Sequence, residues 1–273
     1  MNKRSLLLAT IRRGQVGVSA ANTRHWLQIE SRDRAEVRFR SAPNEVGKFI
    51  LTSRLKGIWE HMRDLGLGAL AHANRHAAYA AVENRRWPEL SVLQAAHAAE
   101  LLIKARIAQE HPLLIFEQLP RSTQAAGTHL DLDDLFRQGR TLQWSDLPER
   151  LWASTGMNLP RRDLFERFGR LRNGLQHFGP APGTQASDET LEFVFQVIDP
   201  FIHDCWGLYA VDYDEDHDPY VYFVYALAQR EIRFLVSPGS ARCFECWDVG
   251  WSTVSKEYRS EMLARVENAT RTG

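Results

Sequence analysis

The segment from Val92 to Glu110 constrains the fold of this chain more than any other part of the sequence. It is rich in alanine, contains no glycine or proline, and lies between Pro88 and Pro112. Apolar side chains recur along it every three or four residues, at Val92, Ala96, Ala99, Ile103 and Ile107. Because this spacing places them on one face of an α-helix, the segment predicts a long helix that packs against other helices.

A second helix is predicted from Pro160 to Phe178, ahead of Gly179 and Pro180. Its apolar residues are spaced four, three, four and three apart, at Leu164, Phe168, Leu171, Leu175 and Phe178. Pro200 is expected to break or kink the helix that contains it. Further helices are expected over residues 45–65, 69–86, 131–138, 144–152, 190–208 and 255–268. We therefore expect a mainly α protein built on a helical bundle.

The two ends of the chain differ from its centre in composition. Residues 1–88 form a basic N-terminal extension, expected to be irregular or weakly β and then helical, and residues 89–212 hold the bundle. The tail, residues 213–273, is expected to be α+β because Tyr220 to Val236 is rich in aromatic and β-branched residues. That stretch predicts either two strands that turn near Gln229-Arg230 or a buried helix, and periodicity does not decide between them.

Charge is distributed unevenly along the chain, although there are 34 Lys and Arg and 34 Asp and Glu in total. Residues 1–86 hold 16 basic and 7 acidic side chains, whereas residues 188–273 hold 7 basic and 16 acidic side chains. The basic third either docks on the acidic third, within one chain or across a dimer, or contacts the phosphates of a nucleic acid.

Neither a membrane span nor a secretory signal is expected. No apolar run approaches the roughly 18–20 residues that a span needs. The apolar patch from Leu6 to Ala9 is too short for a signal peptide. The three cysteines are an odd number and argue against a disulfide framework. We therefore expect a cytoplasmic protein without membrane contact.

The polar side of the second helix carries residues that stability does not explain. At roughly 100° per residue, the side opposite the apolar seam holds Asn173, Gln176 and His177. Arg172 lies at the flank of that side. Gly169 lies on the same side, where the missing side chain would let another helix or a ligand approach closely. A glycine in a helix interior costs about 1 kcal/mol relative to alanine, so a further constraint is indicated.

The end of this helix is the hexapeptide Arg172-Asn173-Gly174-Leu175-Gln176-His177. It fits the order arginine, polar residue, three further residues, histidine, and so resembles the HEPN superfamily in the version whose members are metal-independent endoribonucleases. The segment His97-Ala98-Ala99-Glu100-Leu101-Leu102-Ile103-Lys104-Ala105 resembles the family's first long helix, where an acidic residue commonly lies near the catalytic pair. His111 to Phe116 is also similar to many members, and the resemblance covers about residues 89–210.

The resemblance implies a bundle of four to five helices that dimerises along the motif helices, so that two Arg/His pairs form one cleft. It implies that His177 is the general acid/base and that Arg172 clamps the scissile phosphate. Asn173 would orient the phosphate or the arginine. Glu100 would hold Arg172 or tune His177 through a hydrogen bond. Such a pair suits RNA cleavage, because histidine titrates near neutral pH and a guanidinium stabilises negative charge in the transition state.

The implied substrate is RNA, cleaved to a 2′,3′-cyclic phosphate and a 5′-hydroxyl without a metal or a cofactor. Other polar side chains near the motif are predicted to contact RNA, namely Arg167, Arg170, Gln176 and Lys104, with further positive potential from Arg161 and Arg162. Members of such families often act as toxins or in antiviral defence. A partner protein, such as an antitoxin, is therefore implied as well.

The sequence leaves several alternatives open. One is a HEPN module without catalysis that binds RNA or mediates dimers in a larger assembly. Another is a zinc-containing interaction protein, since Cys243 and Cys246 form half of a zinc site. The missing ligands would have to come from His203, Cys205 and His217. Glu100 and Lys104 are also spaced as an ordinary i,i+4 ion pair, and the tryptophans, including Trp144, are expected in the core or an interface.

Overall fold

The described part of the chain is mainly α-helical, which confirms the predicted fold class. The computed structural model describes residues 55, 57–79, 84–121, 130, 132–179, 183–214, 219–244 and 250–272. All of these belong to one compact unit that spans residues 45–273. Most of the predicted N-terminal extension, up to residue 54, lies outside the described residues.

The first half of this part contains five helices. They are α1 (Ile58–Ala78), α2 (Trp87–Glu110), α3 (Leu132–Gln138), α4 (Leu147–Thr155) and α5 (Arg162–His177). They are connected by 3₁₀ turns at Pro112–Ile115 and Trp144–Asp146 and by two short strands, β1 (Phe116–Gln118) and β2 (Arg140–Thr141). The strands pair antiparallel, with Phe116 opposite Thr141.

The second half contains α6 (Ala186–Phe193), α7 (Asp199–Trp206), α8 (Pro219–Gln229), α9 (Pro238–Phe244) and α10 (Lys256–Thr272). Further 3₁₀ turns lie at Ala210–Asp212 and Gly250–Thr253. The helix does not break at Pro200, because a π-helical turn, Val194–Ile198, joins α6 to α7 immediately before it. The wider turn accommodates the proline ring and its missing N–H.

Helix α1 replaces the two helices predicted over residues 45–65 and 69–86, as far as those residues are described. It runs without interruption through Gly66 and Gly68, which lie between the two predicted helices. The reason is helix packing: a Cβ at Gly66 would lie 2.9 Å from Cγ of Leu102 on α2. The glycine therefore permits a close approach of two helices.

The tail is helical in its described residues, so the predicted α+β character was wrong for them. Of the two alternatives for Tyr220 to Val236, the buried helix is the one that forms, as α8. Its side chains Phe223, Val224 and Leu227 are fully buried. Residues 232–237 follow as non-helical chain, and the described residues after 213 contain no strand.

Helix α2 lies at the centre of the core and packs against α1, α4, α5 and α6. The α5–α6 contact is aromatic, with the rings of Phe168 and Phe193 stacked 3.9 Å apart. Helix α8 packs on α1, so the predicted divisions at residues 88 and 212 do not separate compact units. No described helix has both the length and the apolar character that crossing a membrane requires.

Candidate active site

Helix α5 presents the motif on its last two turns. Leu164 and Phe168 anchor its buried face, whereas Leu171 and Leu175 are half-buried. The predicted apolar seam ends earlier than expected, because Phe178 follows the helix and is 94% exposed. The N-terminal half of α5 is thus fixed in the core, and its motif half lies at the surface.

The structure brings Glu100 of α2 and Arg172 of α5 together. Glu100 Oε2 lies 3.8 Å from Arg172 Nη2, and each side chain is about one quarter exposed (25% and 26%). The α2–α5 contact in the core positions the two residues. At this distance the contact is an ion pair rather than a hydrogen bond, so it orients Arg172 without consuming all of its donors.

Lys104 lies one turn along α2 from Glu100 and binds the same carboxylate more closely. Its Nζ is 2.6 Å from Glu100 Oε1 and 3.4 Å from the hydroxyl of Thr141, and its side chain is only 7% exposed. The i,i+4 pair considered from sequence therefore forms. Lys104 was predicted to contact RNA. Such a contact would require its buried ammonium to leave Glu100 and Thr141.

Asn173 contacts the arginine that precedes it. Its Oδ1 accepts a hydrogen bond of 3.0 Å from Arg172 Nη1, and the side chain is exposed. Arg172 is therefore held by a carboxylate on one helix and an amide on its own. This hydrogen bond is one that Asn173 would need in order to orient the arginine. The role of Asn173 in catalysis stays a prediction.

Trp144 is part of this cluster, although its association with the motif was not predicted. The guanidinium carbon of Arg172 lies 5.9 Å from the centroid of the Trp144 ring, within the range of a cation–π contact. The indole also stacks on Phe165 at 4.1 Å with a 2° angle between the rings. Gly169 was the one sequence signal for this approach, and the group that approaches it is the indole of Trp144.

His177 is the last residue of α5 and is exposed. Its ring is near Phe178, with centroids 6.3 Å apart, and among the described residues it makes no hydrogen bond or ion pair. Five residues of α-helix place it about 140° around the axis from Arg172. The chain by itself therefore does not join His177 to the Arg172–Glu100 cluster. Gln176 is exposed beside it.

Three of the four arginines predicted to raise the positive potential are neutralised by carboxylates. Arg167 Nη2 lies 3.2 Å from Glu189 and 2.6 Å from Glu192. Arg161 pairs with Asp163, and Arg162 pairs with Glu149 and Glu166. Arg170 is exposed and has no ion-pair partner within the described ranges. Of this set, Arg170 is the arginine that presents an unpaired charge to a ligand.

Within the residues that the structure describes, no group of three His, Cys, Asp or Glu side chains could hold a metal ion. Cys246 and His217, two of the proposed zinc ligands, lie outside those residues. Burial raises the pKa of the Cys205 thiol to about 12. A thiolate, the form that binds zinc, is therefore disfavoured at that position.

No protein-family model, curated protein or solved structure matches the chain. The assignment to a class of protein therefore depends on the motif and on the geometry around it. Two cations, Lys104 and Arg172, share the one carboxylate of Glu100, so the cluster carries a net positive charge. With an exposed imidazole on the same helix, such a cluster can bind a phosphate and transfer protons.

Proposed function

We propose that this chain is a metal-independent endoribonuclease of the HEPN type that acts as a homodimer in the cytoplasm. The observation that carries the proposal is the meeting of Glu100 with Arg172 at 3.8 Å. These residues lie on the two segments that resemble the family. In the family, such an acidic residue lies near the catalytic pair. The two segments are far apart in the sequence, so the contact between Glu100 and Arg172 supports the resemblance independently of the motif.

The reaction needs a base, an acid and a group that stabilises charge. A base removes the proton of the ribose 2′-hydroxyl, the 2′-oxygen attacks phosphorus, and the 5′-oxygen leaves with a proton. His177 suits the proton transfers because an imidazole can both accept and donate a proton. Arg172 would donate hydrogen bonds to the non-bridging oxygens, where negative charge develops. The products are a 2′,3′-cyclic phosphate and a 5′-hydroxyl.

A dimer supplies what one chain lacks. One histidine cannot serve as base and acid in the same step, and His177 lies about 140° around the helix from Arg172. A second copy packed along α5 would bring a second Arg172/His177 pair to the cleft. Phe178, which is 94% exposed beside the motif, adds apolar surface to that interface. A toxin–antitoxin or antiviral defence role, with a partner protein that silences the enzyme, follows from the family.

The proposal is tested by incubating the purified protein with mixed RNA in EDTA. The wild type is expected to cleave, and Arg172→Ala and His177→Ala are each expected to lower the rate by about 10²–10⁴-fold without loss of fold or dimer. His61→Ala and Arg271→Ala, which remove exposed residues on other helices, are matched controls expected to cleave like the wild type. Activity that persists in both motif variants would refute the assignment.

A non-catalytic HEPN module is the second candidate. It is favoured by the absence, among the described residues, of a hydrogen-bond partner that would fix the tautomer of His177. This candidate predicts RNA affinity that falls steeply with salt concentration, because phosphate contacts release counterions. It also predicts no cleavage products after long incubation or on expression in cells, where the nuclease predicts growth arrest.

A further inference from the structure

The indole of Trp144 lies near two side chains of α5. Phe165 and Arg172 are seven residues apart on one face of the helix, about 10.5 Å along its axis. The ring of Trp144 is 4.1 Å from that of Phe165 and 5.9 Å from the guanidinium carbon of Arg172. The indole is therefore stacked on Phe165 and lies within cation–π range of Arg172.

Gly169 provides the space for this arrangement. It lies between Phe165 and Arg172 on the same face, and a Cβ at that position would lie 2.8 Å from Trp144 Cδ1 and closer still to Nε1. Any other residue would therefore push the indole away from α5. Gly169 is buried, so solvent exposure does not explain why a glycine occupies this position.

Stability alone does not account for the position of Trp144. Its Nε1–H is buried and has no hydrogen-bond partner among the described residues, which is unfavourable. Gly169 is unfavourable as well, because glycine is a poor helix former in a helix interior. Two departures from good packing at one place, both next to the motif arginine, are typical of a functional site.

A cation over the face of an aromatic ring is held through its charge, without a hydrogen bond. The contact with Trp144 therefore uses none of the five N–H donors of the guanidinium. By contrast, a close bidentate carboxylate would occupy two donors. Among the described residues, Arg172 has only a 3.8 Å contact with Glu100 and one hydrogen bond to Asn173. The remaining donors are free to receive a phosphate.

We propose that Trp144 is a positioning residue that holds the guanidinium of Arg172 in place while leaving its donors available to an RNA phosphate. The inference depends on the proposed function only for the identity of the ligand. The Trp144–Arg172 contact itself can be measured without any cleavage. From the sequence, Trp144 was expected in the core or an interface, with no part in the site.

The experiment compares Trp144→Leu, which removes the aromatic face, with Trp144→Phe, which keeps a smaller one. Trp152→Leu is the matched control, because Trp152 is 56% exposed on α4 and outside the cluster. The first readout is the Nε–Hε NMR resonance of Arg172 in the full chain, assigned by its loss in Arg172→Lys. We expect an upfield ring-current shift that is reduced in Trp144→Phe and lost in Trp144→Leu.

The second readout is the kinetics of RNA cleavage. Trp144→Leu is expected to lower kcat about tenfold with little change in KM, and Trp144→Phe to recover most of the loss. An unchanged Arg172 resonance in both variants would overturn the proposal, as would a loss of kcat of equal size in Trp152→Leu. If Trp144→Leu does not fold, the reduced shift in Trp144→Phe decides the question.

Failure of the nuclease proposal can be told apart from failure of this one. A wild type that leaves RNA intact rejects the nuclease, and affinity for a short single-stranded RNA then replaces kcat as the second readout. A loss of ring-current shift together with about tenfold weaker RNA binding in Trp144→Leu would support the positioning role without catalysis. Unchanged affinity would reject it.

Discussion

Glu100 makes unequal contacts with two cations, and this inequality defines the chemistry of the cluster. Its bond to the buried Lys104 is 2.6 Å long, whereas its contact with Arg172 is 3.8 Å long. The carboxylate is thus largely satisfied by the lysine. Arg172 keeps its charge and most of its donors, which a phosphate ligand requires.

Glu100→Gln is expected to destabilise the fold because it leaves the ammonium of Lys104 buried without a counter-charge. We expect a loss of about 1–3 kcal/mol in the free energy of unfolding, measured by urea denaturation. Glu110→Gln is the matched control, since Glu110 forms an i,i+4 pair with Arg106 on the same helix and is 44% exposed. It should cost less than about 0.5 kcal/mol. Equal losses in the two variants would contradict this account.

Asp199 is a buried carboxyl whose two oxygens accept 2.8 Å hydrogen bonds from the backbone N–H groups of Ala210 and Leu235. Burial is the main cause that raises its pKa from 3.8 to about 7. The two backbone N–H groups oppose this rise, Asp212 adds to it, and Arg265 opposes it. Because the folded pKa exceeds the unfolded one, the folded state binds the proton more tightly. The resulting stabilisation is complete below about pH 4 and is lost as the pH rises to about 7.

The size of this pH effect is as much as about 4 kcal/mol, from the shift of about three pKa units. We expect the free energy of unfolding to fall between pH 4 and 7 in the wild type, and this part of the slope to vanish in Asp199→Asn. Chemical denaturation at several pH values measures it. A slope that is the same in both proteins would show that Asp199 titrates normally.

At the level of elements, two glycines on α1 differ in their surroundings. A Cβ at Gly66 would lie 2.9 Å from Leu102 Cγ, whereas one at Gly68 would meet no described atom within 4 Å apart from the backbone of its own helix. Gly68→Ala is expected to stabilise the fold by about 1 kcal/mol through helix propensity. Gly66→Ala is expected to destabilise it by about 1–3 kcal/mol because the α1–α2 contact must open. Thermal unfolding compares them, and stabilisation by both would show that the helices adjust freely.

Elements with a strong local signal were predictable from sequence. Helices α2 and α5 follow from apolar spacing and from their flanking prolines. The continuity of α1 through Gly66 was not predictable, because it depends on tertiary contacts. The continuity of the helix before Pro200 was not predictable either, because it depends on a π-helical turn. The tail was ambiguous because a buried helix such as α8 carries the same aromatic and β-branched residues as a strand.

The candidate site was predictable only in part. From the family resemblance, Glu100 was expected to contact either Arg172 or His177, and the structure pairs it with Arg172. The position of Trp144 was not, since residues far apart in sequence meet there and Gly169 indicated only that something approaches. The orientation of His177 relative to Arg172 follows from helix geometry. In the proposed dimer, a second chain would complete the site.

At the scale of the whole molecule, the charge asymmetry is partly resolved within the described residues. Acidic side chains after residue 187 pair with arginines of the same compact unit, as Asp188 does with Arg230 and Glu261 does with Arg233 and Arg265. These local pairs reduce the negative surface available to the basic N-terminal third. Docking of that third, or its contact with RNA, stays a prediction because its residues up to 54 lie outside the described part.

The measurement that tests the central claim most directly is the chemistry of the RNA ends. End-labelled RNA is incubated with the wild-type protein in EDTA, beside His177→Ala, and the new termini are identified by mass spectrometry. Our account predicts 2′,3′-cyclic phosphate and 5′-hydroxyl termini from the wild type alone. Intact RNA in vitro together with normal growth on expression, or 3′-hydroxyl termini that require Mg²⁺, would contradict it.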